Sequence, residues 1–166
     1  MGWLQLWGRE RLPPGPSTLV IGSLLIASEG RPISPAAIDF AARIGLAPGA
    51  AVHVLSIARV WGTSFGLPNP GLLPNKHEWE EQRGQVAGAI AVLRRHGIEA
   101  SGKVVGTRQA AKKIVAEAKL FQCDAIVMAA DPPRHWLIGN LMWSHEPYRV
   151  RQLSPIPVYL IVEAPT

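Results

Sequence analysis

The stretch Gly106-Thr-Arg-Gln-Ala-Ala-Lys-Lys-Ile-Val-Ala-Glu-Ala-Lys-Leu-Phe-Gln-Cys-Asp-Ala-Ile-Val-Met128 holds three structural signals in order. Gly106-Thr107 reads as a turn with an N-cap, and the following residues place Ala110, Ala111, Ile114, Ala118 and Phe121 on one helical face. The helix is expected over 108–121. Asp124 then leads into a short apolar run, Ala125 to Ala129, of the length and composition of a buried strand. A helix delivering directly into a wholly apolar strand is the repeating unit of a parallel sheet covered on both faces.

The same unit recurs on either side. Leu19 to Ile26 reads as a first strand, and Ser34-Pro35 as the N-cap and first-turn proline of a helix with Ala37, Phe40, Ala41 and Ile44 on its inner face. Ala51 to Ile57 is a second strand carrying His53, which is read as a satisfied core histidine rather than a ligand. A helix over about 77–96 has Trp79, Gln82 or Arg83, Val86, Ile90 and Leu93 at helical spacing, and Gly84 and Gly88 offer room for a neighbouring element to approach. Ala100 to Val105 is the third strand, a helical region starting near Ser144 runs to about Leu153, and Pro157 to Val162 is the last strand. The fold expected is α/β, with a five-stranded parallel sheet sandwiched by helices.

Two segments stand outside this alternation. Residues 1–17 end in Pro13-Pro14-Gly15-Pro16-Ser17, which cannot hold a helix or a central strand, so they read as an arm before a domain at 18–166. Trp3, Leu4, Leu6 and Trp7 give that arm a sticky face suited to docking on its own domain or on a neighbour. The segment 61–75, with three prolines and three glycines, reads as a long irregular loop of the kind that is uncommon without a function.

Composition narrows the classes. With 48% apolar and 17% charged residues in 166, the chain folds by burial, and at this length it removes about 70% of its unfolded surface from water. The net charge of +5 is diffuse: Arg94-Arg95 and Lys112-Lys113 are the only basic doublets, which argues against a nucleic-acid surface. The one cysteine, Cys123, excludes an internal disulfide and a paired-cysteine zinc site. The longest apolar run is about half of what a membrane helix needs, and no export signal is read, so the expected location is the cytoplasm. Signatures of phosphate loops, dinucleotide sites, zinc proteases and serine hydrolases are absent, which favours a protein that is not an enzyme. The richest polar cluster, Asp131, Arg134, His135, Asn140, Ser144, His145 and Glu146, follows the fourth strand, where open α/β sheets bind ligands.

The run Gly106–Met128, the ending Ser154-Pro-Ile-Pro-Val-Tyr-Leu-Ile-Val162 and the segment Glu29-Gly-Arg-Pro-Ile-Ser-Pro-Ala-Ala-Ile-Asp-Phe-Ala41 together resemble the universal stress protein family over roughly residues 18–163. The resemblance implies a homodimer paired through the last strand, here Pro157 to Val162. It also implies an ATP pocket with an acidic residue at the end of the first strand and a glycine-built phosphate cradle after the fourth. Glu29 stands at the acidic position. The cradle loop here reads Ala129-Ala-Asp-Pro-Pro-Arg-His135, in which prolines remove amide donors and Asp131 repels phosphate. The expectation is therefore a regulatory or binding domain acting by dimerisation and contact with a protein partner, with no cofactor committed. ATP is the alternative ligand, in a pocket of Glu29, Ala129, Ala130, Asp131, Arg134, Ser144 and His145. A third reading is a structural subunit of a larger assembly.

Overall fold

The computed structural model describes residues 20–59, 63–64, 67–68, 74–132 and 145–162. The arm expected over 1–17 and most of the 61–75 loop lie outside them. In chain order the elements are β1 (Ile21–Ser28), α1 (Pro35–Arg43), β2 (Leu46–Arg59), β3 (Thr63–Ser64), β4 (Leu67–Pro68), α2 (Lys76–Arg95), β5 (Glu99–Thr107), α3 (Ala110–Leu120), β6 (Ala125–Ala130), α4 (Glu146–Leu153) and β7 (Val158–Val162). Five strands form one parallel sheet in the order β5-β2-β1-β6-β7, and β3 and β4 make a two-residue antiparallel pair inside the long loop.

Alternation along the strands divides the core in two. Leu24 and Ile26 of β1, Val52 and Val54 of β2 and Val127 of β6 pack with α1 and α2 residues such as Ala41 and Leu93. Leu25 and Ala27, Leu55 and Ile57, and Ile126 and Met128 face the opposite way, onto Ala111, Ile114 and Ala118 of α3 and Val150 of α4. Each central strand is thus apolar on both faces, which is why the sequence shows runs rather than alternation.

Helix starts follow from local chemistry. Ser34 Oγ accepts from the Ala37 amide at 3.3 Å, as the Ser-Pro pair predicts. Asn75 and Glu78 close a reciprocal capping box on α2, with Asn75 Oδ1 accepting from Glu78 N at 2.9 Å and Glu78 Oε2 from Asn75 N at 2.6 Å. α3 differs from expectation. Its N-cap is Gln109, without a side-chain cap bond, and Thr107, three residues before the helix begins, instead accepts with Oγ1 from the Gln109 amide at 3.1 Å. α4 starts at Glu146 rather than near Ser144, because Pro147 occupies its first turn. Gly84 and Gly88 meet nothing near them, whereas the strand residue Gly102 is the point of close approach: a Cβ there would lie 2.6 Å from Val86 Cγ1 of α2 and 2.7 Å from Val54 O.

Two polar features secure the sheet. Asp124 Oδ2 accepts from the amides of Gly22 at 2.8 Å and Ser23 at 3.0 Å, and Asp124 N donates to Ser23 O, so the acid before β6 clasps the start of β1. On the β5 edge, Glu117 of α3 is 2% exposed and takes Lys103 Nζ at 2.7 Å and Lys113 Nζ at 2.8 Å. Lys103 also lies 5.1 Å over the Phe121 ring, which stacks at 4.2 Å on His53, whose Nδ1 sits 3.0 Å from Ser101 Oγ. His53 is therefore satisfied as expected, though half-buried at the margin of the core rather than within it.

Burial alone would raise the Glu117 pKa, but the bonds from Lys103 and Lys113 outweigh it and hold the carboxyl below its usual range. A depressed carboxylate contributes stability above its unfolded value and loses it as pH falls through the folded one. Glu117→Gln is accordingly expected to cost about 1 kcal/mol at neutral pH, since both lysines are partly solvated, and nothing well below about pH 4. Urea unfolding of both proteins across that range tests it; a gap that persists in acid would overturn the assignment.

Candidate functional site

The strand order reverses direction between β1 and β6, and a crevice opens at that switch point beyond their carboxyl ends. Glu29, the residue after β1, is only 1% exposed. Arg31 folds back over it. Its Nε donates to Glu29 Oε1 at 2.6 Å, while its two terminal nitrogens fork onto Asp131, at 3.2 Å to Oδ1 and 3.0 Å to Oδ2. One guanidinium thus joins the end of β1 to the end of β6. Burial pulls the Arg31 pKa down, but Asp131 and Glu29 more than reverse this and leave it raised, so the cation persists at any physiological pH.

The loop is shaped to deliver that side chain. Ser28 Oγ donates to the Arg31 carbonyl and accepts from Gly30 N at 3.2 Å. Gly30 has φ +113°, and a Cβ on it would lie 3.0 Å from Ile57 O, so glycine is required by both conformation and space. Arg59 Nε donates to Glu29 O at 2.6 Å, Gln82 Nε2 to Gly30 O at 3.3 Å, and Ser56 Oγ to Gln82 Oε1. From the other side Tyr148 of α4 donates its hydroxyl to Asp131 O.

Among the described residues, the cavity between these groups, lined by Glu29, Arg31, Ile33 and Ala129 among others, is about 10 Å³. That is scarcely room for one water. Glu29 and Asp131 offset the guanidiniums of Arg31 and Arg59, so the cluster offers phosphate no net positive charge. Glu29 Oε2 is buried and has no hydrogen-bond partner among the described residues. A neighbouring hollow of about 110 Å³, lined by Gly30, Ala58, Arg59, Glu78 and Gln82, lies at the end of β2.

The structure brings together Glu29, Ala129 and Asp131. Ala130 is buried and alternates to the α3 and α4 face of β6, and His145 is exposed at the N-cap of α4 without making a cap bond. Arg134 and Ser144 lie outside the described residues. Arg31 was not anticipated as a site residue. The signal for it was a basic residue two positions after the acid that ends the first strand, held by Pro32, with a second acid at the end of the fourth strand.

An open parallel sheet with helices on both faces and a crevice at its switch point defines a doubly wound α/β domain. The model of the universal stress protein family matches residues 21–161, and the chain belongs to that family. Among solved structures it is similar to a universal stress protein family member from Burkholderia pseudomallei, at 19% identity and a TM-score of 0.60, over 84% of this chain and 95% of that one. It is also similar to the universal stress protein from Archaeoglobus fulgidus in complex with dAMP, at 18% identity and a TM-score of 0.57, covering 84% and 96%. A universal stress protein in complex with cAMP aligns at 17% identity and a TM-score of 0.61, covering 86% and 98%. No curated protein matches the sequence. Among the described residues no helix is long and apolar enough to cross a membrane, and no group of residues could hold a metal ion.

Proposed function

We propose that this chain is a non-catalytic binding domain of the universal stress protein type that works as a homodimer and carries its own cation in place of a nucleotide. The observation that supports this is the Arg31 bridge between Glu29 and Asp131, which fills the switch-point crevice from within. Dimerisation is supported by β7. It is an edge strand of five apolar residues, Val158 to Val162, none of them fully buried, and Val162 is 48% exposed. A second copy pairing antiparallel along it would satisfy the unpaired backbone groups and cover these side chains.

A second reading, nucleotide binding, is favoured by the orphaned Glu29 Oε2, an acceptor aimed at no donor among the described residues. It is also favoured by the dAMP and cAMP complexes of the two similar structures. One preparation separates the two readings. Denaturing fresh protein and chromatographing the supernatant, then titrating ATP with and without magnesium by calorimetry, is expected to give no nucleotide and no heat. Light scattering on the same sample is expected to give twice the 18.0 kDa chain mass. Co-purified nucleotide or micromolar ATP affinity would replace the first reading by the second, and an 18.0 kDa particle would remove the dimer.

A further inference from the structure

At the end of the sheet opposite the crevice, an open apolar groove of about 240 Å³ runs between the last turn of α3 and the α4–β7 link, lined by Val115, Ala118, Gln122, Cys123, Pro155 and Ile156. Four large apolar side chains are exposed among the described residues, and three of them belong to this end. Leu120, 67% exposed, follows the groove-lining Lys119; Leu153, 48% exposed, precedes the groove-lining Ser154; and Val20, 65% exposed, precedes β1. The start of β1 is fastened beside the groove: Ser23 Oγ donates to Phe121 O at 3.2 Å and lies 3.5 Å from Cys123 Sγ.

We propose that this groove seats the chain's own first residues, with an indole of Trp3 or Trp7 in it. Residues 1–19 join the domain at Val20, three residues before Ser23, whose Oγ lies 3.5 Å from the groove-lining Cys123 Sγ, and carry Trp3, Leu4, Leu6 and Trp7 within five positions. From Trp7 to Val20 the chain can extend about 40 Å, so reach is no obstacle. A tether this short holds the segment at about millimolar effective concentration, which no separate partner matches. Gln122 lines the wall and has an amide able to accept from the N–H that a buried indole needs to satisfy.

Cys123, the sole cysteine, reports occupancy because it lies on the groove wall. Its modification by methyl methanethiosulfonate at alkaline pH is to be followed in the full chain, in Trp3→Ala/Trp7→Ala and in Trp3→Phe/Trp7→Phe, at several low urea concentrations. The alanine pair is expected to react at least about tenfold faster, with a rate independent of low urea as local opening requires, and the phenylalanine pair to stay near the parent. Three results would overturn the proposal. They are equal rates in parent and alanine pair, an acceleration that grows with urea as global unfolding does, or a parental rate that rises on dilution, which would place a second copy's arm in the groove.

Discussion

Arg31→Met is expected to lower unfolding stability by about 3 kcal/mol at neutral pH, a fall in Tm of about 6 to 12 °C for a domain of this size. The reasoning rests on unequal exposure. Glu29 is 1% exposed, whereas the Arg31 and Asp131 side chains are each about one quarter exposed. Removing the guanidinium lets Asp131 turn to water but strands a charge at Glu29, and breaking one side of a buried pair costs far more than the intact pair contributes. The test is a cycle. Glu29→Gln/Arg31→Met is expected to recover most of the loss, and Asp131→Asn alone to cost less than about 1 kcal/mol. A loss in Arg31→Met that Glu29→Gln does not relieve would show that Arg31 acts through packing, and the crevice would need another explanation.

Gly102→Val is expected to be nearly as damaging. The Cβ would enter a space where Val54 O stands at 2.7 Å, Val86 Cγ1 at 2.6 Å and Ile90 Cδ1 at 3.1 Å. The two side chains belong to α2 and can turn, but the carbonyl belongs to the neighbouring strand and cannot. Overpacking a well-filled site costs about 1–3 kcal/mol, and Gly102→Ala falls in that range, with valine at its upper end or beyond. Urea midpoints measure the size of the effect, and amide exchange in α2 locates it. A Gly102→Ala midpoint equal to the parent would show that α2 does not rest on β5 as described.

These two residues mark what the sequence could and could not disclose. Strands β1, β2 and β6 are legible because burial on both faces demands unbroken apolar runs, and α1 because Ser34-Pro35 announces it. Gly84 and Gly88, four apart on a helix, suggest the close approach, yet that face looks outward and the small residue that matters, Gly102, lies on the strand beneath. Nothing in the periodicity of α2 distinguishes the two cases. Nothing in the sequence singles out Glu117, because its partner Lys103 arrives from β5 and meets it only once the sheet is assembled. The Arg31–Asp131 contact spans 100 positions of sequence. Glu29 and Asp131 could be placed from the strand ends, but the cation joining them could not, because its role depends on which strands become neighbours.

The two margins of the sheet are chemically unequal, and this bears on growth. Lys103, anchored inward to Glu117, sets a positive charge on the β5 border, where an added strand would have to lie against it, whereas the β7 border is uniformly apolar. A molecule with one adhesive border and one guarded border can join a like molecule once and then has nothing left to offer a third. With the pairing along β7 proposed above, assemblies close instead of lengthening, so a high local concentration is expected to yield pairs rather than ribbons, and neutralising Lys103 to remove that limit.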